Sequence, residues 1–456
     1  MNAIDRMSRA KRSISTLAPM VADGAMLDAV VIGAGWAGLG VSHALVRAGL
    51  RHRVLERDRI GATWRTQRWD AFRMNSTKIQ TLMPDDTYDG PDPDGFMTRD
   101  EFVALLEDFA IRNRLPVETN TPVLKLARDE EDSLFCLTTP RGTLRAGHVV
   151  IASGSQNRAR RPAAAAALSA NLLQIDACDY RSPAALPKGA ILVVGSAQSG
   201  GQIAQDLIEA GRTVFLATAR AGRMPRQYRG KDIFVWLEQS GLFDVPRQME
   251  PSGRIESRPL VGAIRTISLQ SLSAQGVVLL GRLTGVEDGR LTFADDLQDN
   301  IRFADEASVK VKRKIDDYIA RHGFEAPAAI EDPAETVAPR LPDPPILSLD
   351  PGQSGLTTVI WCTGFTGDFS WVRLPGVLDG RGQPMHQEGI TALPGLYFAG
   401  LESPRSRRAG TMLGIAEEAR RIVEHIRQRI HSAPTKPPRR DERQPLPTSK
   451  QLVEAG

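Results

Sequence analysis

The sequence predicts an α/β fold with two Rossmann-like dinucleotide-binding domains, and two stretches carry that prediction. Leu27-Asp28-Ala29-Val30-Val31-Ile32 runs into Gly33-Ala34-Gly35-Trp36-Ala37-Gly38, and Ile191-Leu192-Val193-Val194 runs into Gly195-Ser196-Ala197-Gln198-Ser199-Gly200. In both, a short β-branched run reads as a buried strand, and the glycine turn is followed by a helical pattern. A third observation tells the two apart. The strand after the first turn, Arg53 to Leu55, closes on Glu56, whereas the strand after the second, Thr213 to Ala217, leads to Thr218-Ala219-Arg220.

Each position has a physical job. The three glycines of the first turn supply a tight bend, close approach of backbone to a pyrophosphate, and tight packing of helix on strand. The helix from Leu39 to Ala48 points its N-terminal amides at the phosphates. Glu56, about 20 residues on, is placed to bind a ribose hydroxyl pair. In the second unit Arg220, with Arg223 and Arg226 close behind, suits the 2′-phosphate that marks NADP, or else forms a solvated basic loop. Ala197 departs from the pattern by putting a methyl group where backbone should meet pyrophosphate, an overpacking that typically costs ~1–3 kcal/mol.

The chain has 456 residues, enough for two or three domains. Charged residues make up 25% and the apolar set 41%, and no apolar run approaches a bilayer-spanning length. The net charge of +4 is small and its basic excess sits in the tails and one internal cluster, which gives no support to nucleic-acid binding. Cys136, Cys178 and Cys362 form no Cys-x-x-Cys, so no disulfide framework, zinc site or dithiol centre is expected, and a reducing cytoplasm fits. Residues 1–26 carry no secretory pattern and read as a frayed start. From about Ser432, Pro434, Pro437, Pro438, Arg439 and Arg440 read as a disordered tail.

In chain order, Asp58 to Arg65 and Arg68 to Thr77 form a Gly-turned loop rich in planar side chains. Such a loop packs beside a flat cofactor, or holds interface tryptophans. Phe102 to Leu115 has helical periodicity, and Pro122 to Arg128, Ser133 to Thr138 and Gly142 to Leu144 read as a small antiparallel insert. His148 to Ala152 returns the chain to the first sheet. Beyond Gly241 the pattern is thinner: Arg254, Arg258 and Arg265 are scattered, and strands fall at Gly276 to Gly281 and Leu291 to Phe293. A helix covers Ala307 to Arg321. Its Lys310, Lys312, Arg313 and Lys314, set against Asp316 and Asp317, read as a solvated face or, secondarily, a partner surface. Pro339, Pro342, Pro344 and Pro345 make an extended connection. Leu356 to Trp361 and Gly395 to Ala399 then complete the first sheet, and Thr411 to Arg427 closes it as a helix. Gly410 and Thr411 precede that helix, whose amides make a local positive end that favours a neighbouring negative charge, or Thr411 simply caps it.

These motifs together resemble the class B flavin-dependent monooxygenases, in the bacterial flavin-containing monooxygenase branch related to plant YUCCA-type enzymes. The likeness covers roughly Leu27 to Ile426. It is carried by the first glycine turn, Gly61 to Trp64, Arg68-Trp69-Asp70, Pro225 to Asp232, Trp361 to Phe365, Leu396 to Gly400 and Arg407 to Gly414. The resemblance implies FAD on Gly33, Gly35, Trp36, Ala37, Gly38, Glu56 and Arg57, flanked by Thr63, Trp64, Trp69, Gly400, Thr411 and Met412. It implies NADPH on Gly195, Ser196, Gln198, Ser199, Gly200 and Arg220, with Ser153-Gly154 and Thr363-Gly364 as the two crossings between domains. Asn75 is the implied catalytic residue, a hydrogen-bond donor to a flavin C4a-hydroperoxide, or a turn-forming asparagine.

The implied architecture is a glutathione-reductase-like two-domain flavoprotein, its FAD domain split by the NADPH domain. Its parts are 27–186 and 346–431 for FAD, and 187–345 for NADPH with an insert. The implied reaction passes one oxygen atom of dioxygen to a small organic substrate by N-, S- or Baeyer-Villiger-type oxygenation. No nucleic-acid or membrane partner and no metal is implied, and a homodimer is compatible. Against this, the family's identifying motif is replaced by Ala170, Leu172, Asp176 and Tyr180, of which only the aromatic survives. That departure keeps two alternatives open: an NADPH-dependent flavin oxidoreductase or oxidase without oxygen transfer, and a non-catalytic FAD-binding redox sensor.

Overall fold

A computed structural model describes residues 27–247, 258–403 and 405–432. The expectations for the two tails and for Arg254 lie outside the described residues.

The first sheet grows from β1 (Leu27–Ile32), whose apolar residues are buried on both faces as in a central parallel strand. The chain leaves through helix α1 (Trp36–Arg47) and returns as β2 (His52–Leu55), parallel to β1 with Val31 beside Val54. Helix α2 (Arg99–Arg112) follows. It is started by a capping box in which Thr98 accepts from the Glu101 amide and the Glu101 carboxylate accepts from the Thr98 amide. Short β3 (Val117–Glu118) extends the sheet beyond β2. Then β4 (Lys125–Arg128), β5 (Phe135–Thr139) and β6 (Gly142–Ile151) form an antiparallel meander.

The sequence reads Gly142 to Leu144 and His148 to Ala152 as separate strands, but they are one. The outer half of β6 pairs with β5, while its inner half lies buried against β1. The change in hydrophobic pattern marks a change of neighbours along one strand.

The second sheet contains β7 (Leu173–Asp176), β8 (Ala190–Val194), β9 (Val214–Ala217), β10 (Val278–Leu280) and β11 (Leu356–Trp361), with helix α3 (Gln198–Glu209) between β8 and β9. The order is β10-β9-β8-β11-β7, every pair parallel. The expectation that Leu356–Trp361 completes the first sheet is therefore corrected: Ile360 lies beside Val193, and Trp361 Nε1 donates to Gln174 Oε1 at 3.0 Å. A fully buried apolar strand reads the same in either sheet, and only its pairing decides.

Helix α4 (Leu297–His322) begins well before the predicted Ala307. Its buried stripe of Asn300, Ile301, Ala304, Ser308, Val311 and Ile315 opens with a polar contact, Asn300 Nδ2 to Thr218 Oγ1 at 3.1 Å, which apolar periodicity does not detect. Finally β12 (Leu396–Phe398) pairs with β6, and helix α5 (Ile415–Ser432) packs on α1. The approach there is close, since a Cβ on Gly40 would sit 2.7 Å from Ile415 Cγ1.

The two crossings run side by side. Arg158–Ala159 pairs antiparallel with Phe365–Thr366, the Arg160 amide donates to Gly364 O at 3.0 Å, and the Thr363 hydroxyl donates to Arg160 O.

Candidate active site

The two glycine turns are built alike. Gly33 has φ +106° and a Cβ there would lie 2.6 Å from Ala152 O; Gly195 has φ +103° and its Cβ would lie 2.6 Å from Cys362 O. In each case the turn presses on the end of the neighbouring parallel strand, a fit only glycine allows. The third glycines are tighter still, Gly38 and Gly200 having no room for a Cβ against Gly33 O and Gly195 O. The middle positions differ from these. Gly35 is extended (φ −81°, ψ −177°) and a Cβ there would meet nothing within 4 Å. Ala197 shares that backbone (φ −77°, ψ −164°), so its methyl group costs no strain and reduces only the room for a ligand.

Both turns open onto one cavity of about 1310 Å³. All the sequence-predicted site residues line it except Gly38 and Gly200, which serve helix-on-strand packing instead. Glu56 is buried at its rim, Oε2 accepting from the Ala34 amide at 2.7 Å and Oε1 from the Asp58 amide at 3.0 Å. Ser153 Oγ, at the carboxyl edge of the first sheet, is buried with no hydrogen-bond partner. An open cradle at Gly35, a helix N-terminus behind it, a fixed carboxylate and an unsatisfied hydroxyl suit a dinucleotide. Trp69 is buried and edge-on to Phe72, Trp64 meets Phe102 at 4.7 Å, and both tryptophans also wall the cavity. Packing and lining are one role here.

Asn75 lines the same cavity as the two turns. Its Oδ1 accepts from Gln202 Nε2 at 3.0 Å, and its main-chain oxygen accepts from Arg226 Nη1 at 2.9 Å. Gln202 lies on α3 and also donates to Val261 O at 2.7 Å. Sequence reading missed Gln202; an amide on the inward face of α3 was the available signal.

The basic run behind β9 divides. Arg223 is buried in ion pairs with Asp305 and Glu335, and Arg226, 2% exposed, pairs with Asp232 at 2.5 Å. Neither serves a phosphate, because its charge is already matched within the fold. Arg220 is exposed at the cavity, its guanidinium 4.7 Å above the Phe303 ring of α4. The charge run of α4 also divides: Lys312 pairs with Glu335, while Lys310 and Lys314 line the cavity, a correction to the purely solvated face. Alternate polar positions of a helix face different surroundings, and composition does not separate them.

Glu402, which also lines the cavity, accepts from Arg258 at 2.7 Å and pairs with Arg247 at 2.8 Å. Burial works to raise its carboxyl, but the two guanidinium groups hold it below the usual range. Thr411 does not cap α5: its hydroxyl donates to Arg408 O at 2.6 Å, and a 3₁₀ turn, Met412–Gly414, precedes the helix. Of the altered motif, Asp176 pairs with Arg161 at 2.7 Å, and buried Tyr180 donates to Asp206 of α3 at 2.6 Å. Leu172 is buried and Ala170 exposed. None of the four lines the cavity.

Two sheets, one mixed and one all parallel, with two matched glycine turns and one shared cavity, define a two-dinucleotide oxidoreductase. Residues 30–239 match the pyridine nucleotide-disulphide oxidoreductase family. The chain is 30% identical to an uncharacterized CzcO-like oxidoreductase of Geobacillus kaustophilus (strain HTA426), over 88% of this chain and 98% of that protein. It belongs to this family of CzcO-like oxidoreductases. The fold is that of a flavin-containing monooxygenase from Stenotrophomonas maltophilia (TM-score 0.62, 18% identity, 89% and 99% of the two chains). It is also that of OTEMO in its complex with FAD and NADP (TM-score 0.51, 16% identity, 89% and 86%). Among the described residues no helix is long and apolar enough to cross a membrane.

Proposed function

We propose that the chain is an FAD- and NADPH-dependent monooxygenase acting on a small organic substrate. The observation that carries this reading is the opening of both nucleotide turns onto one cavity, whose lining includes Asn75 with both of its oxygens held by hydrogen bonds. FAD would be held by Gly35, Glu56 and the N-terminus of α1, and NADPH by the N-terminus of α3 and Arg220. When bound, the cofactors supply hydride transfer and activation of dioxygen; the protein supplies position and exclusion of water. Asn75 offers a fixed amide on the cavity wall, where an oriented hydrogen bond to developing negative charge is worth more than one in water. Gln202 and Arg226 fix that amide. Trp64, Trp69 and Phe72 exclude solvent from one wall.

The strand pairings support boundaries at the crossings, and on this reading 27–153 with 364–432 form the FAD unit and 154–363 the NADPH unit. Dithiol chemistry gains nothing from the cysteines, since burial pushes the Cys362 and Cys178 thiols up and disfavours thiolate.

The test is anaerobic reduction by NADPH against NADH, followed by turnover in ¹⁸O-labelled dioxygen with a panel of thioethers, amines, ketones and 2-oxo acids. One labelled atom in a product and one in water is the expected result. Stoichiometric hydrogen peroxide across the panel would establish the oxidase alternative, and no reduction by either nucleotide would establish the redox sensor.

A further inference from the structure

We propose that Lys310 and Lys314 of α4, together with Arg220, form the subsite for a phosphate monoester on the second dinucleotide. They are thus the residues that separate NADPH from NADH. The inference rests on the reading of the second turn as the NADPH site.

Three observations meet here. The spacing of four residues puts both lysines on one face of α4, and that face lines the cavity beyond β9. Both are exposed, and among the described residues neither has a hydrogen bond or ion pair. The surrounding cations, by contrast, are matched: Lys312 by Glu335, Arg223 by Asp305 and Glu335, and Arg282 by Asp296 at 3.7 Å. Arg220 completes the group because Phe303, from the same helix, carries its guanidinium at 4.7 Å.

The helix therefore does two things at this end of the cavity. Phe303 holds the arginine that the nucleotide strand delivers, and the next turns add two more positive charges. A ribose diol gains nothing from three unmatched cations, whereas a phosphate monoester, a dianion at neutral pH with three acceptor oxygens, gains from each. A helix with a merely solvated face would give no reason for Lys310 and Lys314 to line the cavity while Lys312, between them, is matched internally.

The experiment is calorimetric titration of the purified full chain with 2′,5′-ADP and with 5′-AMP. The wild type is compared with the double variant Lys310→Gln/Lys314→Gln and with Arg313→Gln, a control charge on the same helix that does not line this cavity. We expect the wild type to prefer 2′,5′-ADP by at least about tenfold, and the double variant to lose about tenfold of that preference with 5′-AMP unchanged. Arg313→Gln should retain the preference. A double variant that keeps the wild-type preference overturns the lysine subsite and leaves the NADPH site standing. Equal weakening of both probes also overturns it, since the lysines would then support the fold or the common adenosine site. A wild type with no preference for 2′,5′-ADP overturns the NADPH reading itself, and the subsite with it.

Discussion

Gln202 Nε2 donates to Asn75 Oδ1 at 3.0 Å, linking the helix behind the second glycine turn to the loop beside the first. Both hydrogens of that amide nitrogen are committed, the other to Val261 O at 2.7 Å. Asn75 therefore has its oxygen engaged, and its NH₂ group is the end left to donate. Gln202→Glu would present an acceptor instead and turn the Asn75 amide round. We expect Asn75→Asp and Gln202→Glu each to raise the share of NADPH oxidation that ends as hydrogen peroxide, with oxygen transfer falling by about 100-fold, the scale for losing one oriented donor. NADPH-driven bleaching should change far less. Peroxide yields equal to wild type in both variants would remove Asn75 from the chemistry.

Arg226 holds the wall behind Asn75. It is 2% exposed, donates to three carbonyls (Asn75, Gly262 and Ala263), and pairs with buried Asp232. Arg226→Ala would strand that carboxylate, a loss of about 3–5 kcal/mol by urea denaturation. Adding Asp232→Asn should recover part of it. If the single variant loses under about 1 kcal/mol, the pair is not the anchor described here.

The glycine turns separate strain from ligand room. Gly33→Ala faces φ +106° and backbone oxygen at 2.6 Å, so it should lower the stability of cofactor-free protein by several kcal/mol, on the order of 3 or more. Gly35→Ala meets neither obstacle and should leave stability within about 1 kcal/mol while lowering FAD retention. Ala197→Gly should tighten NADPH binding by up to about tenfold. Thermal melts of apoprotein and equilibrium dialysis read both quantities, and equal melting losses for Gly33→Ala and Gly35→Ala would contradict the assignment.

How far the sequence could be read follows from the range of each signal. The two turns, Glu56 and Arg220 were legible because strand, glycine spacing and terminal residue lie within one local unit. Leu356–Trp361 went to the wrong sheet because pairing is set by residues more than a hundred positions away, Ala190–Val194 among them. Lys310, Lys312 and Lys314 look equivalent in a charge run, and only Glu335 and the cavity tell them apart. Gln202 escaped for the same reason: its partner, Asn75, is 127 residues distant.

Glu418 of α5 gives the fold a pH dependence. The buried carboxylate accepts from the Gly400 amide at 3.1 Å, beside the turn that packs on Ala37. Burial pushes its carboxyl from 4.5 up to about 7, against the Gly400 hydrogen bond and Arg421; Glu388 adds to the rise. Arg421 is shared with Glu388 at 3.8 Å and Glu417 at 3.6 Å, so it compensates weakly. Between these two values the folded chain holds a proton that the unfolded chain has released. Stability therefore falls as pH rises through this window, by on the order of 3 kcal/mol when ionisation is complete. Glu418→Gln keeps an acceptor for the Gly400 amide and never ionises. Its melting temperature should match wild type near pH 5 and exceed it at pH 8. Parallel pH profiles for the two proteins would mean that Glu418 does not titrate in this window, and that the Gly400 turn is indifferent to its charge.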